Sequence, residues 1–284
     1  MIDPAKLAEM VKKALDTPPN VVDTNSFPSR LGQEKTNQWE RILDVFVVAA
    51  DLKNSTRMGT GKYINGTVGI YMAATDIGVT LIDDFCPSFI DIQGDGFFGI
   101  FHGDHAGQRA LAAAMMLAHF SKYQLEPGIR QKLGKECPPT GLKIGVATGR
   151  VAVASIGVHD YARPVWAGKP VNWAAKCSES ASAHQVIATG RVFDHLINTN
   201  DYLKQPCYHI GHPREGFLGH IDGTMWRRIS VPGLPPDVKC VARDVPWCDG
   251  DSGLYAARRG ERPRIRAVGR VSHWTPEWSN KRSR

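Results

Sequence analysis

The chain has 284 residues, 42% of them hydrophobic, which suffices for a globular core and excludes general disorder. Its net charge of +7 is local: residues 258–284 hold nine Lys or Arg against Glu261 and Glu277, which reads as a solvated basic tail, so nucleic-acid binding is not the expected function. The longest uncharged apolar stretch, Ala110 to Ala118, is far short of the roughly 20 residues of a membrane span, and Asp3, Lys6 and Glu9 stand where a secretion signal would be apolar, so the expectation is a cytoplasmic protein with no membrane contact.

Along the chain, residues 3–16 place Leu7, Met10, Val11 and Leu15 at helical spacing with Pro4 in the first turn, and a polar link runs from there to Trp39. "DVFVVAAD" (44–51) is a β-branched apolar run suited to a buried strand. Residues 68–86 read as a helix despite Gly69 and Gly78, and "FIDIQGDGFFGIF" (89–101) as a hairpin turning at Gly94-Asp95-Gly96. The surest helix covers 104–123, with Asp104 as its expected cap. "LKIGVATGRVAVASIG" (142–157) predicts a second hairpin around Thr148-Gly149, 170–181 a helix, and 184–197 a strand, turn and helix. Beyond about residue 205 the chain reads as loop. Six scattered cysteines without a CxxC pair indicate reduced thiols, and the histidines have neither a matching cysteine set nor an HExxH helix. This alternation predicts an α+β fold with helices packed on one sheet.

Two acids stand out. Asp51 ends an otherwise apolar strand, and Asp95 sits at a hairpin tip. Singly they read as a helix cap and a turn residue. Together they can set two carboxylates side by side, an arrangement that costs several kcal/mol at low effective dielectric unless a cation neutralises it. Two divalent ions about 3.5–4 Å apart are the usual answer, serving in-line displacement at phosphorus.

Four segments, in order and spacing, resemble the class III nucleotidyl cyclases. "VVAADLKNST" resembles a first metal motif running into a phosphate-cradling loop, and "DIQGDGFFGIF" a second metal motif. "LKIGVATGRVAVASIG" resembles the following hairpin, and "WAGKPVNWAAKCSES" the Val-Asn segment that opens a helix. The resemblance implies a ferredoxin-like βαββαβ palm acting as a homodimer with shared active sites. It divides the chain into an N-terminal helix and linker (1–36), a catalytic domain (37–235) and a basic C-terminal tail (236–284). Asp51 and Asp95, with the Leu52 carbonyl, would hold two Mg²⁺ or Mn²⁺ ions. Backbone N–H groups of Asn54, Ser55 and Thr56 would cradle a nucleoside triphosphate. The partner subunit would supply Asn172 to orient the ribose and Lys176 to neutralise charge at the α-phosphorus. The family usually has Arg where Lys176 stands, and an ammonium lacks the guanidinium fork. For the family's late triphosphate Lys, the candidates here are Lys204, Arg214, Arg227 and Arg228.

The family selects its base four positions before the second metal Asp, together with a residue six before the valine of the Val-Asn pair. Here these are Asp91 and Val165, with Trp166 beside the latter. A carboxylate only accepts hydrogen bonds, so it cannot serve adenine N1, and an unpaired buried group costs about 1–3 kcal/mol. Guanine could donate N1–H and N2–H₂, although Val165 offers nothing to O6; uracil N3–H or cytosine N4–H₂ could donate as well. The pattern is similar to the pyrimidine cyclases of Pycsar anti-phage defence, which make cyclic UMP or CMP to trigger a separate effector. It implies a cyclase acting on UTP, then CTP. The alternatives are a guanylate cyclase and an inactive nucleotide-binding module.

Overall fold

A single strand, β2 (Gln38–Leu52), runs through both halves of the molecule. In the computed structural model, which describes residues 3–28, 38–59, 64–157, 162–195 and 226–244, the chain divides into two compact units. One comprises Met1–Leu43 with Arg150–Gly168, the other Asp44–Gly149 with Lys169–Arg284.

In the first unit, α1 (Pro4–Asp16) starts at Asp3, whose side chain accepts from Ala5 N, with Pro4 in the first turn. The segment read as a polar link contains a strand, β1 (Asn20–Thr24), parallel to the start of β2 and braced by the Asp23–Arg41 ion pair. β5 (Leu142–Ile156) enters this unit and pairs antiparallel with β6 (Arg163–Ala167). The expected hairpin at Thr148-Gly149 is therefore not formed; β5 is one continuous strand. β5 stays extended because β7 (Val186–Thr189) pairs with it before this point and β6 after it. Thr148 instead donates its hydroxyl to the Val45 carbonyl.

The second unit holds the rest: α2 (Ser55–Gly59), α3 (Ile64–Asp83), β3 (Phe89–Gln93), β4 (Gly96–Phe101), α4 (Ala106–Phe120), α5 (Glu126–Leu133), α6 (Lys169–Ser180), β7 (Val186–Thr189), α7 (Arg191–Asp194), β8 (Arg227–Ile229) and β9 (Cys240–Arg243). Its strands run in the order β3-β4-β2-β5-β7-β9-β8. The succession β2-α3-β3-β4-α4-β5 with order β3-β4-β2-β5 is the ferredoxin-like βαββαβ arrangement expected. β8 and β9, in the stretch read as loop, are strands because they pair with each other and with β7, which short sequence windows do not reveal.

Strand alternation divides the core. Phe46, Val48, Ala50, Phe97, Phe101, Ile144, Val146 and Ala188 pack with α3 and α4 on one face. Ile187, Cys240 and Ala242 point to the other face, where Cys177 of α6 and Ala181, the residue just after that helix, cover them. The apolar α4 is buried almost all round and passes at Phe120 into a π-helical turn. Its N-cap is His105, in a left-handed conformation, so Asp104 is not the cap; the Asp104 carbonyl instead accepts from Arg109. No helix among the described residues is long and apolar enough to cross a membrane.

Candidate active site

The β2–β4 register pairs Ala50 with Phe97, which carries Asp51 opposite Gly96 and beside Asp95. Gly96 makes that approach possible: a Cβ there would stand 2.9 Å from the Ala50 carbonyl oxygen and 3.4 Å from Asp51 Oδ1. Gly94 takes φ +66°, the left-handed value this tight turn needs. Asp95 Oδ2 is shielded from solvent and accepts no hydrogen bond among the described residues. A shielded carboxylate oxygen without a donor, next to a second carboxylate, suits a cation. No group of three or more His, Cys, Asp or Glu among the described residues could hold a metal. Such an ion would therefore need substrate oxygens or water to complete its coordination, as Mg²⁺ commonly does.

Lys143 is the residue that sequence reading missed. Leu142, Ile144 and Val146 of β5 face the α3/α4 core, so Lys143 points to the opposite face, where its Nζ lies 2.6 Å from Asp51 Oδ2. It is only 16% exposed against 43% for Asp51, so the ammonium is the better shielded partner. A lone cation within an apolar strand was the available signal, since buried lysines are rare unless paired.

The loop after β2 is clamped to the start of β5. Lys53 N donates to the Gly141 carbonyl at 3.0 Å, Thr140 Oγ1 to the Lys53 carbonyl at 2.9 Å, and Asn54 Nδ2 to the Pro139 carbonyl at 2.7 Å. Asn54 sits at φ +61°, and its side-chain amide is anchored by this brace. Ser55 and Thr56 open α2 directly after it. Behind the clamp, Leu142 N donates to Ser121 Oγ at 2.6 Å, Ser121 Oγ lies 2.8 Å from His184 Nδ1, and His184 Nε2 lies 2.9 Å from Glu126 Oε2. Burial holds the His184 imidazole below its usual pKa, against the pull of Glu126.

α6 exposes Asn172, Lys176 and Glu179 on one side, as their spacing of four and three dictates. Lys176 Nζ is 3.1 Å from Glu179 Oε2, and its stem runs close to Gly233. On the inner side, Cys177 is hydrogen-bonded to Cys240; that bond and burial push its thiol up, which fits the reduced, structural cysteines expected. Asp91 and Gln93 leave β3 on one face, and Gln93 Nε2 donates to Asp91 Oδ2 at 3.2 Å. In the other unit, Val165 is 41% exposed and Trp166 packs its ring against Phe27 at 5.8 Å. Of the late cationic candidates, Arg227 pairs with Asp244 and Arg228 follows it on β8, while Lys204 and Arg214 lie outside the described residues, as do residues 245–284; the first part of the expected tail instead forms β9.

No protein-family model matches the chain. It is 36% identical over 235 residues to a uridylate cyclase of Propioniciclava tarda, covering 81% of this chain and 73% of that protein. A uridylate cyclase of Micromonospora echinofusca is 34% identical over 228 residues, covering 78% of this chain and 71% of its own length. The chain belongs to the uridylate cyclase family. Among solved structures, the adenylyl cyclase CyaB from P. aeruginosa superposes with a TM-score of 0.55 at 14% identity, over 73% of this chain and 96% of that one. At such identity the likeness speaks for the fold, which is that of a class III cyclase catalytic domain.

Within this uridylate cyclase family member, the structure brings Asp51, Asp95 and Lys143 together. It sets Asn172 and Lys176 on a common face of α6.

Proposed function

We propose that the protein cyclises UTP to 3′,5′-cyclic UMP with release of pyrophosphate. The observation that carries this is the Asp51–Asp95 juxtaposition at the end of β2, in a chain whose relatives, at 34–36% identity, are named uridylate cyclases. In the reaction the ribose 3′-hydroxyl loses its proton, its oxygen bonds to the α-phosphorus, and the bond from that phosphorus to the bridging oxygen of pyrophosphate breaks. Two Mg²⁺ or Mn²⁺ ions held by Asp51, Asp95 and the Leu52 carbonyl would make the hydroxyl a better nucleophile and neutralise the triphosphate.

The chain's own groups do the rest. Lys143 keeps Asp51 compensated and adds a positive charge where the phosphates arrive. Backbone N–H groups at Ser55 and Thr56 offer donors to phosphate oxygens. Asn172 orients the ribose and Lys176 answers the charge that develops at the α-phosphorus, both from the second subunit of a homodimer. Asp91 accepts from the base. The product would act as a second messenger for a separate effector in anti-phage defence, a role supported by the motif resemblance alone.

Incubation with ATP, GTP, CTP and UTP separately in Mn²⁺, with products identified by mass, tests the reading. Cyclic UMP is expected as the main product. Turnover of a purine nucleotide in its place would overturn the pyrimidine assignment, and no turnover of any of the four would overturn the enzyme.

A further inference from the structure

β3 pairs Asp91 with Phe98 and Gln93 with Gly96, and Phe98 pairs in turn with Ala49. The row between them, Ile92-Phe97-Ala50, sends Phe97 and Ala50 into the α3/α4 core. Asp91 and Gln93 therefore lie on the opposite face, the one that also carries Asp51 and Lys143. Asp91 is half-buried and Gln93 exposed.

Because a carboxylate only accepts, the Gln93 amide must turn Nε2 toward Asp91, which leaves one further N–H on that nitrogen for another partner. The pair thus shows an acceptor next to a donor. Uracil carries N3–H flanked by the O4 and O2 carbonyls. If Asp91 alone took N3–H, its second oxygen would face one of those carbonyls, lone pair against lone pair. Gln93 already bonds that second oxygen and has a donor left for the carbonyl.

We propose, building on the uridylate-cyclase reading above, that Gln93 is a specificity-determining residue: Asp91 accepts from N3–H while Gln93 donates to the adjacent carbonyl. Cytosine held in the same register by its ribose turns an N3 lone pair toward Asp91 and is rejected. Guanine repeats the uracil pattern with N1–H and O6 on a larger ring, so the pair separates uracil from cytosine and leaves ring size to the rest of the pocket.

The test is kcat/KM for UTP and CTP in the full-length wild type, Gln93→Leu and Asp91→Asn, with melting temperatures measured alongside. Gln93→Leu should lower kcat/KM for UTP by about 10- to 100-fold, the scale of a buried group left unpaired, with CTP changed only a few-fold. Asp91→Asn, which can donate to cytosine N3, should move the preference toward CTP. If Gln93→Leu melts early, Gln93→Met, of similar length and without the donor, reads the same ratio. A wild-type UTP/CTP ratio in a folded Gln93 variant refutes the role of Gln93. A wild type that never cyclises UTP refutes the reading beneath it instead.

Discussion

Asp95 presents one carboxylate oxygen that neither solvent nor a hydrogen-bond donor among the described residues reaches, in a turn where Gly96 lets the chain pass Asp51. Left unpaired, such an acceptor costs about 1–3 kcal/mol, and a second carboxylate nearby raises the cost. Asp51 is relieved by Lys143 across the sheet, whereas Asp95 Oδ2 has no such partner among the described residues. Replacing either acid with Ala should therefore abolish turnover; Asp95→Ala should leave the melting temperature unchanged or raised, whereas Asp51→Ala strands the shielded Lys143 ammonium and should lower it with the fold intact. Steady-state assays beside thermal unfolding check this, and ordinary activity in either variant would refute the metal assignment. The two acids were legible in the sequence because each breaks a local pattern, one ending an apolar strand and the other in a hairpin turn. Lys143 and Gln93 were not, because their meaning lies in partners 92 residues away in one case and on the same strand face in the other.

Among the elements, α6 is held tightly against the sheet. Gly145 of β5 lies beneath it, and a Cβ there would collide with the Ala174 carbonyl oxygen and come within 2.5 Å of Ser178 N. Ser178 Oγ also donates to the Lys143 carbonyl at 2.9 Å, which ties the helix bearing Asn172 and Lys176 to the strand bearing the Asp51 partner. Gly145→Ala should displace α6 and destabilise the protein by about 1–3 kcal/mol or more, read as a lowered denaturation midpoint with activity lost in parallel. A variant of wild-type stability would show that the helix can lift freely. The clamp behind the loop after β2 has its own signature. Burial keeps His184 below its usual pKa of 6.5, with Glu126 opposing and Lys122 and Lys53 adding to the depression. As pH falls through about 6.5 the unfolded chain takes up a proton that the folded chain resists, so stability is full above that pH and declines below it. His184→Gln should flatten this decline in chemical denaturation between pH 7.5 and 5; an unchanged slope would place the titration elsewhere. None of this clamp was visible beforehand, because Ser121, Glu126 and His184 meet only once α4, α5 and the turn before β7 are folded.

For the whole molecule, the proposal that matters is the shared site. An Asn172→Ala subunit mixed with an Asp51→Ala subunit assembles one composite site with neither change. Such heterodimers should recover part of the activity that each variant lacks alone, and confirmed heterodimers without recovery would count against sharing. The α+β alternation of strands and helices was readable in advance, since apolar alternation and turn residues are local signals with a period of two or 3.6. The βαββαβ palm was implied by the resemblance of four motifs; the order β3-β4-β2-β5 came from the folded chain. β1, β8 and β9 were not readable, because strands of three to five residues owe their existence to a neighbour's backbone, not to their own composition. The hairpin expected at Thr148-Gly149 failed for the same reason: β5 stays extended because partners in both units pair along it.

What the residues alone determined, then, was the α+β alternation of the central strands and helices and the identity of the acids, since both follow from patterns a few residues long. Only the folded chain decided which charge answers Asp51, which amide braces Asp91 and how tightly α6 is seated. Those are contacts between distant segments, and no local pattern encodes a distance across a sheet.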